Sequence, residues 1–165
     1  ATETRPYFQG RLTAWELSLD GFDVTLIPDN RVASLLDAGR CSKVITGADR
    51  VALNGDIVNK TGTRQLAMLA HRFGIPFYAF VQESGTTATG EDVPIEYRDR
   101  MEVVRFRGED VYPVGTDAFY PAFDMTPHRY ITALITFEEI LKPADLPAGW
   151  RISDSPSSSS GRKHP

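Results

Sequence analysis

The feature that most limits the fold is a change of character around residue 47. An apolar run, SKVITGAD (42–49), breaks at Gly47 and runs into GADRVALNGDIVNKTGT (47–63), a stretch with two aspartates, two asparagines, one lysine, one arginine and three glycines. Little in it can fill a core. A helical pattern follows, TRQLAMLAHRFG (63–74), with Leu66, Leu69, Ala70 and Phe73 at helical spacing and Gly74 and Pro76 as stop signals. IPFYAFVQ (75–82) is then a continuous aromatic and aliphatic strand. Upstream, DVTLIPD (23–29) reads as a short strand, and NRVASLLDAG (30–39) as a helix with Asn30 as N-cap and Gly39 as stop. A strand, helix, strand, helix, strand order predicts an α/β protein with a parallel sheet and helices on its faces. Strands without polar alternation suit burial on both sides.

The flanks fit the same plan. Leu12, Trp15 and Leu19 share one face of a helix over 11–20, capped by Gly21. ESGTTATGED (83–92) is a polar loop, and MEVVRF and DVYPVG are expected to be short strands near the sheet edge. TPHRYITALITFEEILKP (126–143) is expected to be a helix, with Thr126 as N-cap, Pro127 at the first helical position and Pro143 as its end. Residues 1–150 make one domain. Residues 151–165, ending in SDSPSSSSGRKHP, form a low-complexity tail expected to be disordered.

Charge and cysteine content narrow the function. The net charge is −4, so no basic surface advertises nucleic acid, and an anionic ligand must be held by local groups. The single cysteine, Cys41, permits neither an internal disulfide nor a cysteine metal cluster. No apolar run reaches 18 residues, and no signal peptide is evident. These features predict a soluble cytoplasmic protein with no membrane partner. The chain opens on ATETRPYFQG, without an initiator Met, and is expected to be a fragment.

In parallel α/β sheets, ligands bind beyond the carboxyl ends of the strands. Asp49 falls where KVITG runs out. Alone, it reads as a turn cap at least as readily as an acid/base group. Asn59, Lys60, Thr61, Gly62 and Thr63 lead into a helix N-terminus, where free amides and the helix dipole favour an anion. The spacing is not that of a P-loop, because Lys60 precedes its glycine. Burial by the apolar strand is expected to lift the Asp49 carboxyl. Arg5 and Arg11 are expected to pair with Glu3 and Glu16 rather than touch an anion. Asp56 is expected to hold the loop, and Asp124 to cap the helix at 127. His71, His128 and His164 lack ligand spacing, so no metal or other cofactor is expected.

GADRVALNGDIVNKTGT followed by LAHRFGIPFYAF resembles the methylthioribose-1-phosphate isomerase family, whose relatives include ribose-1,5-bisphosphate isomerase and the regulatory subunits of translation initiation factor 2B. ETRPYFQGRLTAWEL (3–17), VPIEYRDRMEVV (93–104) and YPAFDMTPHRYITALIT (120–136) agree with it in family order. The resemblance covers roughly residues 1–142 and only the family's C-terminal, Rossmann-like half. It implies that Asp49 is a catalytic acid/base, that Asn59 and Lys60 bind substrate, and that Gln9 contacts it. Here the chain has QGRLTA where QGARLTA is commoner, which shifts the local setting of Gln9. The family's catalytic cysteine and phosphate-holding arginines lie in the other half; Cys41, in AGRCSK, matches no catalytic motif. The implied reaction converts 5-methylthioribose 1-phosphate to its ketose, with ribose 1,5-bisphosphate or another 5-substituted ribose 1-phosphate as the sibling substrate. The different-class reading is a non-catalytic regulatory module. The resemblance also implies a homodimer, with the aromatics of DAFYPAFDMTPHRY as a candidate interface.

Overall fold

The computed structural model describes residues 1–82, 85–146 and 150. In chain order the regular elements are helices α1 (Gly10–Leu19) and α2 (Val32–Asp37), strands β1 (Val44–Gly47), β2 (Arg50–Val51) and β3 (Ile57–Lys60), helix α3 (Thr63–Arg72), strand β4 (Phe77–Phe80), helix α4 (Met101–Val104), and strands β5 (Arg105–Phe106), β6 (Glu109–Asp110), β7 (Phe123–Thr126), β8 (Ala133–Ile135) and β9 (Ile140–Leu141).

The fold is mixed α/β. One sheet runs β1-β4-β8-β9, with β1, β4 and β8 parallel and β9 antiparallel at the far edge. A second, antiparallel sheet runs β2-β3-β7. Helix α3 bridges the two, packing on β1, β4 and β7. It approaches closely because its inward positions, Ala67 and Ala70, are small and fully buried. Phe77, Ala79, Leu134, Ile57 and Val51 complete a dry centre joined by Trp150. Burying side chains of the size of Phe77 and Leu134 contributes roughly 1.5–3 kcal/mol each.

Three expectations fail. Residues 23–29 form no strand: Ile27 makes only a parallel bridge to Thr2. Its neighbours are residues 1–3 rather than the sheet, and Leu26 is exposed. Residues 126–143 form no long helix. Thr126 ends β7, Pro127 is extended (ψ 137°), and a single 3-10 turn at His128–Tyr130 leads into β8. The β-branched run ITALIT suits a strand, and β8 supplies the third parallel strand. Of MEVVRF, the first four residues are α4, and only Arg105–Phe106 pairs, with β6 across a turn where Arg107 and Gly108 have positive φ. DVYPVG is not a strand beyond Asp110.

Smaller differences follow from where side chains are needed. Asn30 does not cap α2, which begins after a 3-10 turn at Asp29–Arg31. The Asp29 carboxylate instead accepts the amides of Thr4 and Arg5, both at 2.8 Å. Helix α1 forms as expected, but Leu12, Trp15 and Leu19 on its apolar face are 56–69% exposed. The tail from 151 lies outside the described residues.

Candidate functional site

Register builds the site. Across the β3–β7 ladder, Asn59 faces Asp124 and Lys60 faces Phe123. Asp49 follows β1, and its amide donates to the Val58 carbonyl at 3.0 Å, so the end of one sheet is tied to the other. Loop 2–9 closes over this junction under strain, with φ of 61° at Thr4 and 57° at Phe8, and delivers Gln9 to the start of α1. Gly10 is obligatory here: a Cβ would sit 1.9 Å from the Thr2 carbonyl oxygen.

Gln9, Asp49, Asn59 and Lys60 line one cavity of about 840 Å³, together with Arg5 and Thr46. The sequence therefore brings all four of its site residues together. Each sits differently. Asp49 is exposed, against the expectation of partial burial, because β1 is an edge strand. Asn59 Nδ2 donates to Thr63 Oγ1 at 2.9 Å, and that hydroxyl donates to the Lys60 carbonyl at 2.8 Å. The hydroxyl proton is thus committed, which fixes the Asn59 amide as the donor. Lys60 Nζ lies 4.4 Å from the centroid of the Phe123 ring and makes no ion pair among the described residues. A cation on an aromatic face contributes about 0.5–1 kcal/mol near the surface. Burial, then the neighbouring Arg98 charge, holds the Lys60 ammonium below its ordinary value, although Asp49, Glu96 and Glu102 pull the other way.

Two buried acceptors in the lining, Gln9 Oε1 and Thr46 Oγ1, have no hydrogen-bond partner among the described residues. Orphaned polar atoms are costly unless a ligand or water meets them. Thr46 was not singled out from sequence; its one visible signal is a hydroxyl at the alternate position of an otherwise apolar strand.

The N-terminus of α3 does not behave as the sequence predicts. Asp124 fills it, accepting the amides of Gly62 and Arg64, so those groups are not free for an anion. Asp124 thus caps α3 rather than the expected helix at 127. Arg5 pairs with neither Glu3 nor Glu16: its guanidinium donates to the Val103 carbonyl at 2.9 Å and lies over Phe8. Arg11 makes no ion pair among the described residues. Asp56 does hold the loop. It is buried and accepts from Asn54 Nδ2, the Gly90 amide and the His128 amide, with His128 Nδ1 at 2.7 Å. Cys41 lies outside the cavity lining and turns its thiol to the Lys43 carbonyl.

Beyond Asp49 lies a second cavity of about 430 Å³, sharing Gly47, Asp49, Asn59 and Phe80 with the first. Its remaining lining, among the described residues, is Ala48, Val81, Gln82, Ile135, Thr136 and Phe137, with no cation. Among the described residues no cluster of His, Cys, Asp and Glu is arranged to hold a metal ion, and no helix is long and apolar enough to cross a membrane.

The chain resembles known proteins over most of its length. Residues 1–143 match the model of the Initiation factor 2 subunit family. A protein of Thermus thermophilus named methylthioribose-1-phosphate isomerase is 52% identical over 145 residues, covering 86% of this chain and 44% of that protein. One of the same name from Desulforudis audaxviator is 52% identical over 147 residues, covering 87% and 42%. Among solved structures, 5-methylthioribose 1-phosphate isomerase from Pyrococcus horikoshii OT3 superposes with a TM-score of 0.82 at 43% identity, covering 86% of this chain and 41% of that one. The delta subunit of translation initiation factor eIF-2B from A. fulgidus gives 0.82 at 40% identity, covering 87% and 43%. The chain spans less than half the length of these relatives.

Proposed function

The chain belongs to the Initiation factor 2 subunit family, and on that premise we propose that it is the C-terminal, Rossmann-like half of an aldose–ketose isomerase acting on 5-methylthioribose 1-phosphate. The observation that carries this is the meeting of Gln9, Asp49, Asn59 and Lys60 in one cavity at the sheet junction. In the proposed reaction Asp49, open to the cavity, moves protons on the sugar oxygens as the ring opens and hydrogen passes between C1 and C2. Lys60 and Asn59 hold the sugar phosphate, and Gln9 contacts it from the strained loop. The catalytic cysteine and further phosphate contacts belong, in this proposal, to the remaining length of such an enzyme.

The choice of 5-substituent is supported by the second cavity. A second phosphate placed beyond Asp49 would meet a carboxylate and aromatic rings and no cation. An apolar methylthio group suits that lining. The site is therefore proposed for the methylthio sugar in preference to ribose 1,5-bisphosphate. We further propose a cytoplasmic homodimer. Phe119 and Tyr97, edge-to-face at 5.6 Å and 81% and 65% exposed, support an interface, whereas Tyr120 is buried within the chain.

The eIF-2B neighbour favours a second reading, a non-catalytic regulatory subunit. Turnover separates the two. The complete gene product is incubated with 5-methylthioribose 1-phosphate and the ketose followed by NMR. Formation of the ketose, lost in Asp49→Asn, supports the isomerase; binding without turnover supports the module.

A further inference from the structure

Lys60 is the cation of the proposed site, yet two carboxylates, Glu96 and Glu102, are near enough for their charge to be felt at its ammonium. Neither pairs with it. Arg98 Nε donates to Glu96 Oε1 at 3.1 Å, and a second guanidinium nitrogen reaches Glu96 Oε2 at 3.4 Å. The same guanidinium lies 5.5 Å from the Tyr7 ring centroid and 5.9 Å from that of Phe123. Phe123 is the ring that carries Lys60 Nζ.

The backbone fixes this arrangement. Arg98 donates its amide to the Tyr120 carbonyl at 3.0 Å, and the Glu96 backbone carbonyl accepts the Ala122 amide at 2.8 Å. Residues 96–98 are thereby laced to the segment that runs on into β7, with Tyr97 bridged to Pro121. The backbones of Glu96, Arg98, Phe123 and Lys60 are thus linked by the Tyr97–Pro121 bridge and the adjoining β3–β7 ladder.

We propose that Arg98 is a positioning residue: by holding the Glu96 carboxylate and standing against the Tyr7 and Phe123 rings, it keeps the Lys60 ammonium unpaired and presented to the cavity. Remove Arg98, and the Glu96 carboxylate loses its partner. Lys60 then turns to a carboxylate and is withdrawn from an anionic ligand. A guanidinium suits this role better than an ammonium, because its planar fork can hold a carboxylate while its face lies on aromatic rings. The inference rests on the reading of Lys60 as the ligand-binding cation, but its test needs no turnover.

The experiment is a pH titration of the Lys60 side chain by lysine-selective NMR on the chain itself, with Lys60→Arg assigning the resonance. Arg98→Ala is expected to move the midpoint upward by about one pH unit, as a repelling charge is replaced by an attracting one. Arg98→Ala with Glu96→Gln is expected to bring it most of the way back. A role confined to packing predicts no such rescue. Should Arg98→Ala not fold, Arg98→Gln, which keeps much of the stem over the rings, is measured in both backgrounds instead. In parallel, inorganic phosphate titrated against the same resonance is expected to bind about tenfold more weakly to Arg98→Ala and to recover in the double variant. An unmoved midpoint, or a shifted one that Glu96→Gln does not restore, overturns the proposal. Failure of the complete protein to isomerise a sugar phosphate counts only against the isomerase.

Discussion

The carboxylate of Asp124 accepts the amide of Gly62 at 2.7 Å, across a separation of 62 residues, and so does for α3 what a phosphate would do. A second bond, from the Arg64 amide at 3.0 Å, completes the cap. The NKTGT segment is therefore a braced turn: Gly62 (φ 104°) lets the chain reverse, and Asp124 satisfies the freed donors. Among the described residues, the cationic side chains in the cavity lining are Arg5 and Lys60. Asp124→Ala should leave the α3 terminus uncapped and cost about 1–2 kcal/mol. For a domain of this size that lowers Tm by roughly 2–8 °C, measurable by thermal denaturation. Asp124→Asn, which keeps an acceptor, should cost less.

Asp56 and Asp124 make opposite contributions to acid stability. Burial pushes the Asp56 carboxyl up, but hydrogen bonds from the His128 amide, Asn54, the His128 ring and the Gly90 amide outweigh it and hold it below the ordinary 3.8. A lowered folded value means stability that is complete above the unfolded value and is lost as pH falls through the folded one. Burial raises Asp124 above 3.8 despite the Arg64 and Gly62 amides, so its contribution runs the other way: present below the unfolded value, lost as pH rises through the folded one. Asp56→Asn should therefore flatten the loss of stability below about pH 4, whereas Asp124→Asn should remove a gain that develops as pH falls from the raised folded value of Asp124 towards 3.8. Urea unfolding between pH 2.5 and 7 reads both. Asp56→Ala, which orphans the Gly90 and His128 amides, should cost about 3 kcal/mol at pH 7.

The parts of this architecture visible in sequence are those written locally. Strands β1 and β4 and helix α3 carry their periodicity and stop signals within a dozen residues, and Asp49 is legible as a residue at the end of β1, whereas Asn59 and Lys60 read as the approach to α3 and stand on β3, a strand the polar stretch does not announce. What was hidden depends on register. That Asp124 reaches Gly62, and that Phe123 lies under Lys60, follows from the β3–β7 pairing, which no local pattern encodes. Pro127 misled because proline fixes φ but permits both helix and extended chain; its ψ of 137° was decided by β7 ending there. The apolar face of α1 is legible in the sequence, and Leu12, Trp15 and Leu19 are exposed on it.

Lys60→Ala should weaken sugar-phosphate binding while leaving the fold intact, since the ammonium has no ion-pair partner among the described residues to lose. A charge-assisted contact is worth about 1.5–3 kcal/mol, or roughly 10–150-fold in affinity. Titration calorimetry on the complete protein checks this. Unchanged affinity would place the anion site elsewhere in the cavity.

The sharpest test of the chemistry is Asp49→Asn. The residue is held by its own amide to the Val58 carbonyl, not by its side chain, so the exchange should leave the β1–β3 junction as it is. Asparagine keeps the size and hydrogen-bonding reach of the carboxylate but cannot take up and return a proton. Loss of a general acid/base commonly costs ~10²–10⁴-fold. The complete protein carrying Asp49→Asn should therefore show kcat lowered by that factor, with substrate affinity little changed, because Gln9, Asn59 and Lys60 remain in the cavity. Thermal denaturation of the variant should match the parent, which separates lost chemistry from lost fold. Near-normal kcat would return Asp49 to the role of a turn residue at a strand end.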